Sequence, residues 1–241
     1  MGAAGHHESG ENRRNIVCVY VDGPNFSAGA AQNFYADLGK LKDLLEERYG
    51  EVGRFLWYDF EEEAASTPRL DTLSARAEEE GRELMEVIDD IDDPEYRRRV
   101  MDELMILYGH KKWIEARRGF LRAAERFAGA EIVRVPREEY KYTGGCPYCY
   151  RGIEFEGRVE GKAVDFRVAI DMIYGAGTGL FDTAVLISGD GHFVQPVIYV
   201  QEIGKRIVVA SFEQSASREL QDAADEFLNL NLLRNEIELR R

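Results

Sequence analysis

Two aspartates each follow a short apolar run. Asp22 closes Ile16–Val21 (IVCVYV) and leads into Gly-Pro-Asn. Asp190 sits in a Ser-Gly-Asp-Gly turn after Ala184–Ile187. Each reads as a carboxylate at the end of a buried strand, where open α/β sheets bind ligands. Taken singly, either could be a turn or helix-cap aspartate. Together they are more informative, because the first strand and the strand opening the second half of a doubly wound sheet are neighbours. Asp165 and Asp171 lie on the helical segment just before the fourth strand. Asp165 is near its start. Asp171 falls inside an apolar run, where a charge needs a reason. No lysine is read among these acids, so their like charges repel unless a divalent cation lies between them. Oxygen-only donors favour magnesium or manganese. Such an ion acidifies bound water and neutralises phosphate, which points to phosphodiester hydrolysis.

The elements that must position these acids alternate between strand and helix. Ile16–Val21 has the two-sided apolar character of a central parallel strand. Asp22–Asn25 reads as a turn, and Ala36–Tyr49 has helical spacing. Further strands are expected at 55–60, 131–136, 184–187 and 206–210, and helices at 113–127, 162–174, 193–203 and from about Ser217. Strands alternating with helices imply a parallel sheet covered on both faces.

One stretch breaks the pattern. Glu61–Asp93 carries 13 acidic and 3 basic residues, and Glu95–Arg151 carries 8 acidic and 13 basic. Apolar stripes on both sides of Asp92-Asp93-Pro94 predict a helical hairpin over 61–112 inserted into the α/β unit. Its charges read either as solvated faces or as a lid or dimer arm whose basic half meets a phosphate backbone. The candidates for RNA contact are Arg97, Arg98, Arg99, Lys111, Lys112, Arg117 and Arg118. Residues 138–160 read as a β-hairpin carrying Cys146-Pro-Tyr-Cys149 near its tip. Residues 1–14 read as a disordered tail, 15–228 as the main domain and 229–241 as a weakly patterned C-terminal tail.

The chain has 241 residues, 44% hydrophobic, with a formal net charge of -14. That length and composition support a full core. The acidic balance argues against a general coating of nucleic acid, though not against a local basic groove. No apolar run is long enough to span a bilayer, and the N-terminus lacks a signal-peptide core, so a cytoplasmic protein with no membrane partner is expected. Three cysteines do not make a disulfide framework.

At DGPN (22–25), KAVDFRVAIDM (162–172) and LISGDGHF (186–193) the sequence resembles the NYN domain family, in its LabA-like branch, within the PIN-like nuclease superfamily. GKRIVVA and SRELQDAADEF follow in matching order. The resemblance covers about 15–60 and 113–228. It implies a Rossmann-like α/β/α sandwich with a mostly parallel sheet, and metal-dependent ribonuclease cleavage. By that resemblance Asp22 binds or positions the metal, and Asn25 holds the loop and the attacking water. Asp165 and Asp190 are the second and third acids, and Ser188 contacts the metal shell or the substrate phosphate. Asp171 matches an aspartate of the helix pattern. His192 is a departure, since many relatives carry aspartate there. A histidine adds no negative charge at neutral pH, given a reference pKa of about 6.5. It weakens a second metal site, contacts phosphate, carries a proton, or is simply a polar residue in a first helical turn.

Other readings compete. Cys146 and Cys149 can grip one zinc, but a tetrahedral structural site needs four ligands and one chain shows no second pair. A zinc shared between two chains would supply it, and a homodimer through the insertion or the hairpin stays open. A haloacid-dehalogenase-like phosphatase would need an aspartate where Pro24 stands. GAGTG (175–179) follows a helix instead of opening one, so nucleotide binding is weakly supported. The main alternative to a nuclease is a catalytically weak RNA-binding or regulatory protein of the same family.

Overall fold

The computed structural model describes residues 14–61, 68–136, 142–145, 152–155 and 162–239. Six strands form one parallel sheet. In chain order these are β1 (Ile16–Asp22), β2 (Glu51–Phe60), β3 (Glu131–Val135), β6 (Thr183–Ile187), β7 (Arg206–Ser211) and β8 (Glu226–Asn229). The spatial order is β3-β2-β1-β6-β7-β8. The remaining pair, β4 (Tyr142–Gly145) and β5 (Gly152–Phe155), makes a separate antiparallel hairpin. Cys146 and Cys149 lie outside the described residues.

β1 is central, paired in parallel with β2 on one side and β6 on the other. Its alternation feeds two cores. Cys18 and Tyr20 join the cluster under α6 (Ala163–Thr178), α7 (Val194–Glu202) and α8 (Arg218–Ala223), with Val168, Met172, Val197, Val200 and Leu220. The alternate residues of the sheet face α1 (Gly23–Gln32) and α2 (Leu38–Tyr49), where Phe26 packs edge-on against Trp57 and tilted against Phe212. The chain is therefore an α/β protein with helices on both faces of a parallel sheet. The order reverses between β1 and β6, as expected.

Three elements differ from the sequence reading. DGPN is a helix start: Asp22 caps α1, accepting from the Asn25 amide at 3.1 Å, with Pro24 in the first turn. The last helix stops at Ala223, and residues 226–229 become the sixth strand, parallel to β7. The expected C-terminal tail is part of the fold: a 3-10 turn at Leu230–Leu233 and α9 (Arg234–Ile237) bury Leu230, Leu233 and Ile237.

Compactness divides the chain into one unit of residues up to Glu61 with Ala124 onward, and a second unit, Glu62–Ala123. The second contains α3 (Pro68–Glu80), α4 (Leu84–Asp89) and most of α5 (Pro94–Ala128). It has a small core of Leu70, Leu73, Ala77, Val87, Ile88 and Val100. The hairpin expected over 61–112 is thus built from three helices. Its last helix runs on for 35 residues, joining what the sequence reading split at 112 and 113. Pro94 starts it, and its interior contains no proline to stop it.

Candidate active site

The site lies at the carboxyl edge of the sheet, where β1 and β6 separate. Val21 pairs with Ile187, so the next residues, Asp22 and Ser188, are brought side by side. Asp22 is 2% exposed. One carboxylate oxygen accepts from the Asn25 amide and the other from the Ser188 hydroxyl at 2.8 Å. The Asn25 side-chain oxygen accepts from the Gly189 amide at 2.9 Å, tying the loop after β1 to the loop after β6. The glycine is required: a Cβ on Gly189 would stand 2.0 Å from the Ser215 carbonyl oxygen. Gly23 is as tightly held, since its Cβ would meet the Tyr58 carbonyl oxygen and the Trp57 ring nitrogen at 2.5 Å.

Asp190 caps the 3-10 turn Gly191–Phe193 and accepts from the His192 amide at 2.9 Å. Asp165 enters from the first turn of α6. Asp165, Asp190 and His192 offer ligand atoms that all lie within 4.8 Å of one another. Burial pushes the Asp165 carboxyl up to about 7, and the charges of Asp22 and Asp190 add to the shift. Burial likewise pushes Asp22 up to about 6, against the lowering effect of its Asn25 and Ser188 hydrogen bonds. Two carboxylates held above their ordinary range by burial and by neighbouring acids are what a hard cation would relieve. Oxygen atoms dominate the donor set, so the residues present fit a divalent ion such as magnesium or manganese.

Sequence reasoning missed two neighbours. Lys162, placed just before α6, brings its ammonium 2.7 Å from His192 Nε2. His192 Nδ1 lies 2.5 Å from Asp190 Oδ1. A protonated lysine can only donate, so Nε2 accepts and Nδ1 donates to the carboxylate. The expectation of acids without a lysine is therefore corrected: Lys162 lowers Asp165 and adjoins Asp190 through His192. Its sign was in the sequence, three residues ahead of Asp165, but the 30-residue separation from His192 hid the contact. Asp59, at the carboxyl end of β2 and 1% exposed, is the second; its charge adds to the upward push on Asp22.

The other candidates have partners of their own or belong to the second unit. Asp171 accepts from the Tyr58 hydroxyl at 3.0 Å and from Arg167 at 2.9 Å, and it stands outside the group of potential metal ligands. Arg97 donates to the Ile91 carbonyl and Arg99 pairs with Glu95, so both are engaged locally. These two, with Arg98, Lys111, Lys112, Arg117 and Arg118, belong to the second unit. The side chain of Lys111 lies outside the described residues.

A family model for the NYN domain matches residues 16–231. The chain belongs to the NYN domain family. A crystal structure of a protein of unknown function from Vibrio parahaemolyticus RIMD 2210633 is similar to this NYN domain, at 18% identity and a TM-score of 0.50. The match covers 95% of this chain and 99% of that one, and at such identity it speaks for the fold alone. Comparison with curated proteins gives no match. The family places the NYN domain among PIN-like, nuclease-type proteins. Among the described residues, no helix is long and apolar enough to cross a membrane.

Proposed function

We propose that this NYN domain is a metal-dependent endoribonuclease of the LabA-like branch, acting on RNA in the cytoplasm. The observation that carries the reading is the convergence of Asp22, Asp165 and Asp190 from β1, α6 and the loop after β6, with two of them held above their ordinary range. Asp165 and Asp190 would hold a magnesium or manganese ion, with Asp22 behind them. When bound, that ion would supply an acidified water and a counter-charge for the scissile phosphate. Ser188 and the Asn25 amide fix the Asp22 carboxylate, and Asn25 also fixes the Gly189 loop. His192, held between Asp190 and Lys162, is placed to contact phosphate.

The same His192 and Lys162 contacts support a second reading, a catalytically weak RNA-binding or regulatory protein. They occupy Asp190 and partly neutralise the cluster. Incubation with varied RNAs and DNAs, with manganese or magnesium and an Asp22→Asn control, separates the two. Metal-dependent RNA cleavage that the control lacks is the expected result. RNA binding with neither cleavage nor manganese binding would sink the nuclease reading in favour of the regulatory one.

A further inference from the structure

The helical layer over one face of the sheet has an outer surface unlike the rest of the chain. α6 turns Val164, Val168 and Met172 inward. On its outer side Phe166, Ile170 and Tyr174 recur every four residues and are 67%, 46% and 66% exposed. α7 packs beside it and exposes Tyr199, with Ile203 exposed just past its end and Leu180 just past the end of α6. From Met172 to Gln201 the only acidic or basic side chains, His192 aside, are Asp182 and Asp190, in the loops flanking β6. Arg167, the cation within α6, pairs with Asp171. The chain as a whole is 32% charged. Scattered exposed apolar residues need no explanation, but a contiguous set on adjoining helices marks an interaction surface.

We propose that the outer face of α6 and α7 is a homodimer interface, with a twofold axis passing near Ile170. Three features select a second copy. The spacing is self-complementary: antiparallel α6 helices crossing at Ile170 bring Phe166 of one copy against Tyr174 of the other, twice, as an isologous contact requires. The charge also fits. Two chains of net charge -14 repel one another over most of their surfaces, and this face carries few charges: Arg167 is paired with Asp171, and Glu202 stands at the end of α7. The area is adequate: six large side chains at roughly half exposure offer on the order of 500 Å² per copy. Their flanks carry that towards the roughly 800 Å² per partner of a standard interface. RNA is a poorer occupant, because the phosphate backbone needs cations and Arg167 is already paired.

Sedimentation velocity of the full chain over a concentration series tests this, with the variants Ile170→Arg and Tyr199→Glu. The wild type should sediment as a dimer. Each variant should weaken self-association by about 30-fold or more, with the circular dichroism spectrum and thermal midpoint retained, since both side chains are exposed. Tyr199→Glu, on the other helix, decides the matter if Ile170→Arg does not fold. Met105→Glu, in the second unit, should leave the dimer intact. A monomeric wild type, or a dimer that survives both variants, would overturn the proposal. So would variants that lose RNA binding with no change in mass, which would make the face an RNA platform.

Discussion

The two edges of the sheet treat their acids in opposite ways. At the amino edge Glu131, Glu226 and Asp182 each have a cation. Glu131 takes a two-pronged contact from Arg54, Glu226 pairs with Arg206, and Asp182 lies 3.7 Å from Lys205 while accepting from the Ile16 amide. Arg54 accordingly holds the Glu131 carboxyl below its ordinary value. At the carboxyl edge Asp22, Asp165 and Asp190 face one another, and two of them are held above theirs. Similar side chains at the two edges of one sheet thus serve different ends. The cation-paired acids fasten the sheet, whereas Asp22 and Asp165 store repulsion that a cation can release.

The largest expected contrast is between Asp190→Asn and Asp182→Asn, one at each end of β6. Asp190→Asn should cut metal-dependent RNA cleavage by roughly 100-fold or more and abolish the rise in thermal midpoint that manganese gives the wild type. Asp182→Asn should keep cleavage within a few-fold of wild type and cost about 1 kcal/mol of stability, read by urea denaturation. Equal loss of cleavage in both would break the distinction between the edges.

Metal removal is next. If the ion binds only the folded chain, manganese at 100 times its dissociation constant should stabilise the wild type by about 2.7 kcal/mol. A chelator should reverse this. Asp165→Asn should gain little from the metal and already be more stable than the metal-free wild type at neutral pH. Calorimetric titration measures the binding and thermal denaturation the stability. A full metal response in Asp165→Asn would remove that residue from the site.

The acid cluster itself was readable from residue type and position. IVCVYV and AVLI are two-sided apolar runs, and the switch point follows once the sheet is doubly wound. The failures have particular causes. GPNFSAGAAQ contains two glycines and weak helix formers, so α1 is invisible by propensity. It is imposed by the Asp22 cap and by Phe26 packing on Trp57. EFLN is a strand of four residues after a helical stripe, and pairing with β7 alone makes it one. Asp171 is a charge in an apolar run. Its reason is the Tyr58 hydroxyl, 113 residues away, which no local pattern reveals.

The edges should also differ in the sign of their pH dependence. The Asp165 carboxyl rises from an ordinary 3.8 to about 7, so between those values the folded chain holds a proton that the unfolded chain has lost. Metal-free stability from this group is full below about 4 and is lost as pH rises towards 7. Asp22 acts in the same direction up to about 6. Glu131 is held low, so its contribution is present above its ordinary value and is lost as pH falls. Denaturation across pH should therefore show Asp165→Asn gaining on the wild type as pH rises. The deficit of Glu131→Gln should instead shrink as pH falls. Parallel trends would contradict the assignment of unpaired and paired acids.

The smallest expected effect tests where the site ends along α6. Asp171 is six residues from Asp165, nearly two turns further along the helix. Its carboxylate serves Tyr58 and Arg167. In Asp171→Asn the side-chain oxygen can still accept from the buried tyrosine, and what is lost is the charge attraction to a half-exposed arginine. That is worth at most about 1 kcal/mol. Stability should fall by no more than this, and the manganese affinity should stay within about twofold of wild type. Arg167→Ala should reproduce the small stability loss, because it removes the same pair from the other side. A fall in manganese affinity comparable to that of Asp190→Asn would extend the site along α6 and make Asp171 a member of it. Unchanged affinity would end the site at the first turn of the helix, with Asp171 an acid held by partners like those of the amino edge.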